Sequence, residues 1–179
     1  MKRITRKQFI GAILIGGTTI AILKTLPKSL NEYYLALSRW NIDTLKVYAE
    51  SILPKGEDWP SAETAEVYRR MDEELFFCSK SISSDLSDAL LLIEWYPFFA
   101  GSFSRFSRLS TEAATQIVST GLTSENELVR AAFSNVRMLI FMMYYGHSST
   151  FSKIGYDGPF LNWPEKLSEQ RLYYAEEVK

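Results

Sequence analysis

From residue 138 to residue 145 the chain reads Met-Leu-Ile-Phe-Met-Met-Tyr-Tyr, a run that leaves no polar face on a helical projection. A helix apolar all round has to be covered on every side, by the rest of its own chain or by another protein. A membrane span needs about 18 or more apolar residues. This run has eight, with Arg137 at its head, so it does not span. It closes a longer helix. Ser124 and Glu127 have the spacing of a capping box, in which the serine oxygen accepts from the Glu127 amide and the glutamate reaches back. Gly146 supplies a left-handed residue to end the helix, which leaves roughly 20 residues and about 30 Å of rise. In the first half Arg130, Ser134 and Arg137 make a solvated stripe opposite Leu128, Ala132, Val136 and Leu139. A glycine-punctuated loop follows and ends Ile154-Gly155-Tyr156-Asp157-Gly158-Pro159.

The remaining segments read as cover for this helix. In residues 41–53, with Asn41 or Asp43 as cap, Leu45, Tyr48, Ala49, Ile52 and Leu53 keep a helical spacing until Pro54-Lys55-Gly56 stops it. Ser61 opens a helix with Ala65, Tyr68, Met71 and Leu75 inward and Glu63, Glu66, Arg69, Arg70 and Asp72 on a solvated face. A serine-rich loop over residues 79–84 leads to a helix over residues 85–96, broken by Pro97 and Gly101. Phe98, Phe99, Phe103 and Phe106 then follow at loop spacing and are expected to plug the core. Ser110 caps a helix with Glu112 in its first turn, ended by Gly121 to form an αα-hairpin with the long helix. The tail, residues 161–179, reads as an extended arm or a marginal helix lying on something. Strand-like alternation is absent from the sequence. The predicted fold is all-α: a compact bundle of five or six helices around one long apolar helix, in a single domain over residues 27–160.

Residues 1–26 read as an export signal or membrane anchor. Lys2, Arg3, Arg6 and Lys7 precede an uncharged stretch, residues 9–23, that contains Gly11, Gly16 and Gly17. Thr5, Arg6, Lys7, Phe9 and Ile10 match the twin-arginine signal except that Lys7 stands where the second arginine belongs. Thr19-Ile20-Ala21 is the best small-x-small cleavage site, inside the apolar run. If the segment is kept, its positive end faces the cytoplasm. The alternative, a buried first helix of a cytosolic domain, leaves four positive charges with no acid before Glu32 unexplained.

Lysines and arginines number 20 against 21 acids and form no stripe, which excludes a nucleic-acid partner. Cys78 is the single cysteine, so internal disulfides and thiolate metal clusters are excluded and it reads as a buried, inert thiol. His147, the single histidine, lies just past a helix end and reads as a turn residue rather than a general base. Glu94 sits in an apolar helix. Acid catalysis would require a second titrating group in reach; a glutamate bonded to a neighbouring loop, or to Arg105 or Arg108, is the simpler reading. With no phosphate loop, haem motif or nucleophile elbow, self-contained catalysis is not expected, and no catalytic, cofactor or metal residue is assigned.

Several short motifs, in order, resemble the family of small subunits named for gluconate 2-dehydrogenase subunit 3. They are Ile52-Leu53-Pro54, Glu94 and Pro97, Arg105-Phe106-Ser107-Arg108-Leu109-Ser110, Tyr144-Tyr145 and the sequence from Ile154 to Pro159, covering about residues 45–160. The resemblance implies a bacterial, periplasmic, membrane-associated accessory subunit of an oxidoreductase complex. Its partner would be an FAD-dependent catalytic subunit of the glucose-methanol-choline type. A membrane cytochrome c with haem would take the electrons, and the translocation machinery would carry the folded pair. The expected partner surface comprises Met142, Tyr144, Tyr145, Phe151, Tyr156, Gly158, Pro159, Phe160 and Trp163, aromatic and methionine residues being the usual anchors, although the same types also fill cores. A stand-alone, membrane-anchored periplasmic binding module is the alternative.

Overall fold

A computed structural model describes residues 33–159 and 168–178; Thr5, Arg6, Lys7, Phe9, Ile10, Phe160 and Trp163 lie outside the described residues. Seven α-helices occur among the described residues, with no strand. They are α1 (Arg39–Ile52), α2 (Val67–Phe77), α3 (Lys80–Phe99), α4 (Thr111–Leu122), α5 (Glu127–Tyr145), the single turn α6 (Ser148–Phe151) and α7 (Glu169–Glu177). Short 3-10 turns fall at Phe106–Arg108 and Ser152–Ile154. The all-α expectation holds, and α5 packs against α1, α2, α3 and α4.

The apolar run behaves differently from its expectation. Ile140 and Tyr144 are fully buried, whereas Met138 and Met142 are 54% and 57% exposed. The surrounding helices cover one side of α5 and leave the other to solvent, so α5 is not an apolar helix buried all round. The proposed capping box is absent as well. Asn126 caps α5, its Oδ1 accepting from the amides of Leu128 and Val129 at 3.0 and 3.3 Å, while Ser124 Oγ accepts from the Asn126 amide. An Asx cap directly before the helix displaces a serine two residues upstream. Gly146 closes α5 at φ −82°, not in the left-handed region, through its amide to the Met142 carbonyl at 3.1 Å.

Other boundaries moved for local reasons. Ser38, not Asn41 or Asp43, caps α1, accepting from the Asn41 amide at 3.2 Å, and Asp43 is buried. Ser61 accepts from the Thr64 amide at 3.0 Å and starts only a run of turns; the helix proper begins at Val67, after Glu66 at φ +50°. The serine-rich segment is helical, with Ser79 as cap, and the Ser87 hydroxyl donates to the Ser83 carbonyl at 2.9 Å. Pro97 lies inside α3 near its end, where the bond it forfeits leaves only the Ile93 carbonyl without its i+4 donor. Gly121 does not end α4. It is buried where α4 crosses α5, and a Cβ added to it would sit 2.4 Å from Phe133 Cδ2, so the absent side chain is what lets the two helices close.

Candidate functional site

Of the three buried carboxylates among the described residues, Asp43, Asp72 and Glu94, the last two organise the polar interior. The first of these two is Asp72, expected on a solvated face but 0% exposed. It accepts from the amides of Leu35, Ala36 and Leu37 at 2.8, 2.9 and 2.7 Å and from the Tyr174 hydroxyl at 2.6 Å. Four donors satisfy the carboxylate in place of water, which is what burying a charge demands. Sequence could have flagged it: Tyr68, Asp72 and Leu75 share one helical face, so Asp72 sits in the apolar stripe of α2. The segment before α1 and the helix α7 are thereby fixed to the same atoms. Burial, then the bond to Asp72 and the charge of Asp72, push the Tyr174 phenol above its ordinary range. Arg171 pairs with Glu73 at 3.5 Å, and Phe76 contacts both Tyr173 and Tyr174, completing the seat of α7 on α2.

The second is Glu94 of α3. It accepts from Thr44 Oγ1 at 2.9 Å, from the Ser107 amide at 2.9 Å and from Ser107 Oγ at 2.7 Å, with Arg105 Nη1 at 3.5 Å. The Arg105 guanidinium lies over the Trp40 ring at 4.8 Å. A carboxylate bonded to an arginine and a loop was the simpler reading, and the geometry agrees with it. A small cavity of about 250 Å³ beside Trp40, Trp95 and Leu91 reaches this cluster. No second titrating acid or histidine borders it. His147 instead caps α6, its Nδ1 bonding Ser149 Oγ at 2.7 Å and accepting from the Ser149 amide at 3.2 Å. Glu94 and His147 therefore serve separate structural ends. Cys78, expected buried, is exposed at the end of α2. No group of three or more metal-ligating side chains occurs among the described residues. Within the same residues no helix is long and apolar enough to cross a membrane.

The expected partner surface divides. Met142 is exposed, Tyr156 is 39% exposed with its ring 4.8 Å from Phe151, and Tyr145, Phe151 and Gly158 are half-buried, with Pro159 exposed. Tyr144 is wrong as a surface residue: it is fully buried and donates to the Pro60 carbonyl at 2.7 Å. In its place the solvent side of α5 carries Leu128, Ala131, Asn135, Met138 and Met142, all exposed and uncharged, at the spacing of one helical stripe. This stripe runs about 21 Å. At its Leu128 end a groove of about 830 Å³ opens against Leu91, Trp95 and Phe99 of α3. Beyond it the phenylalanines expected to plug the core point outward: Phe106 alone is buried, Phe98 is 43% exposed, Phe99 87% and Phe103 84%. Phe103 also holds φ +45°, an uncommon conformation for an aromatic residue.

No protein-family model, curated protein or solved structure matches the chain.

Proposed function

We propose that this chain is a non-catalytic helical subunit that docks through the outer stripe of α5 onto the catalytic subunit of an exported flavin-dependent dehydrogenase of the glucose-methanol-choline type. The stripe itself carries the reading: a helix buried on one side and carrying on the other an uncharged, largely apolar stripe from Leu128 to Met142 presents an exposed surface suited to a protein partner. Methionines favour such contacts because their side chains adapt to a facing surface. The signal-like start and the ordered family motifs support the nature of the partner. In this reading FAD belongs to the catalytic chain and haem to a membrane cytochrome c. The small subunit serves export, maturation or stability of its partner on the periplasmic side of the membrane.

The test is affinity purification of the C-terminally tagged chain from native membranes in mild detergent, with an absorbance spectrum of the eluate. A larger chain with a flavin spectrum is the expected result. A colourless single chain overturns the proposal and favours the anchored binding module.

A further inference from the structure

Residues 95–104 read Trp-Tyr-Pro-Phe-Phe-Ala-Gly-Ser-Phe-Ser, five aromatic rings and no charge in ten residues. The charged residues that bound the stretch, Glu94 and Arg105, are buried and paired with each other, so neither lends its charge to the surface between them. The turn stands clear of the molecule. Phe99 and Phe103 are the most exposed large apolar residues of the described chain, and a Cβ added at Gly101 would meet nothing within 4 Å. Behind them the Trp95 and Phe98 rings lie 5.7 Å apart, and Phe98 lies 6.3 Å from Phe103.

We infer that this tip is a membrane-interface anchor, with Phe99 and Phe103 entering the acyl boundary of a lipid bilayer while Trp95 stays at headgroup level. Trp95 and Phe99 are four helical residues apart, about 6 Å along the axis of α3. That offset fits an interfacial insertion of about 5–10 Å, with the indole in the layer that tryptophan favours. Insertion to this shallow depth is eased where amides of the turn are bonded within it. Gly101 N–H donates to the Phe98 carbonyl at 3.2 Å and Ser102 N–H to the Pro97 carbonyl at 2.9 Å. The Ser104 hydroxyl is turned back onto the Arg105 carbonyl at 3.3 Å.

A protein partner fits the tip less well. Protein interfaces carry arginine and a polar rim with about one hydrogen bond per 100–200 Å²; the tip offers little beyond the Ser102 hydroxyl to such a rim. The inference does not rest on the docking of a catalytic chain on α5, although Trp95 and Phe99 also line the groove at the Leu128 end of that stripe.

The full-length protein, reconstituted into phosphatidylethanolamine–phosphatidylglycerol vesicles with brominated acyl chains, tests it through tryptophan quenching. Trp59, packed edge-on against Tyr145 at 6.5 Å, is the internal reference. Quenching is expected to fall by at least half in W95F and in the double variant F99D/F103D, and to persist in W59F. Quenching at the wild-type level in W95F overturns the inference. So does a double variant that keeps its quenching but loses a copurifying protein, which would make the tip a protein contact. Circular dichroism checks that the double variant folds; should it not fold, the comparison of W95F with W59F decides alone.

Discussion

The Tyr174 hydroxyl donates a 2.6 Å hydrogen bond to Asp72, joining the last described helix to the centre of α2 across 102 residues of sequence. Because the same carboxylate also holds the amides of Leu35, Ala36 and Leu37, the two ends of the described chain share one anchor.

Replacing Asp72 by alanine is expected to cost about 3 kcal/mol or more, since three amides and one hydroxyl lose a charged acceptor. Tyr174→Phe should cost about 1.5–3 kcal/mol, the range for a bond to a charged group. Urea unfolding of both variants and of the double variant, read as a cycle, measures the coupling. Additive effects would mean that the bond does not contribute.

Alkaline pH should loosen the same contact. Burial first raises the phenols of Tyr48, Tyr144 and Tyr174, with the Asp72 bond and charge adding at Tyr174. A folded-state value above the unfolded one gives stability that is fully present below about pH 10 and is lost as pH rises toward the folded values. Denaturation midpoints should therefore fall above about pH 10. They should fall less steeply in Tyr174→Phe, which a melt series between neutral and alkaline buffers would show.

Glu94→Ala takes the carboxylate away from Arg105 and removes the acceptor of Thr44 and Ser107. A loss of about 1–3 kcal/mol follows. Glu94→Gln keeps an acceptor for the Ser107 amide and should cost less. Thermal unfolding ranks the three proteins; equal midpoints would show that the cluster does not hold α1, α3 and the 3-10 turn together.

Gly121→Ala sets two effects against each other. Alanine gains about 1 kcal/mol of helix propensity over glycine. Its Cβ, however, falls 2.4 Å from Phe133 Cδ2 in a core where Phe133 is fully buried and cannot swing aside. Overpacking of that kind costs about 1–3 kcal/mol, so net destabilisation is expected in chemical unfolding.

Met138→Glu with Met142→Glu should change stability by no more than about 0.5 kcal/mol per site, because both side chains are largely in solvent. If the proposed docking holds, a flavoprotein chain that copurifies with the wild type should be lost. Retention of that chain by a folded double variant would remove α5 from the interface.

The helical pattern was legible over α1 and α2, where one face is simply apolar, but not at Leu128 of α5, which was expected opposite the solvated stripe and is 69% exposed. Leu45, Tyr48 and Ala49 of α1 and Tyr68, Met71 and Leu75 of α2 are buried as their spacing demands, and Ser110 caps α4 as expected. Sequence failed where tertiary contact overrides local chemistry. Asp72 looks like a surface acid until three amides from a distant segment arrive, and Gly121 looks like a helix stop until Phe133 fills the space beside it. The outer stripe of α5 was hidden for a related reason. A run with no polar face does not say which side its own chain will cover, and only the packing of four helices against α5 separates buried Tyr144 from exposed Met142.

The feet of the 98–104 turn are built in: Pro97 is buried in the last part of α3, and Arg105, Phe106 and Ser107 are buried around Glu94. The backbone between them has thus surrendered most of its freedom during folding. When Phe99 and Phe103 meet another surface, the association has few main-chain rotations left to freeze and loses chiefly the motion of two short side chains, so even a small contact area can bind reversibly without a large entropic penalty.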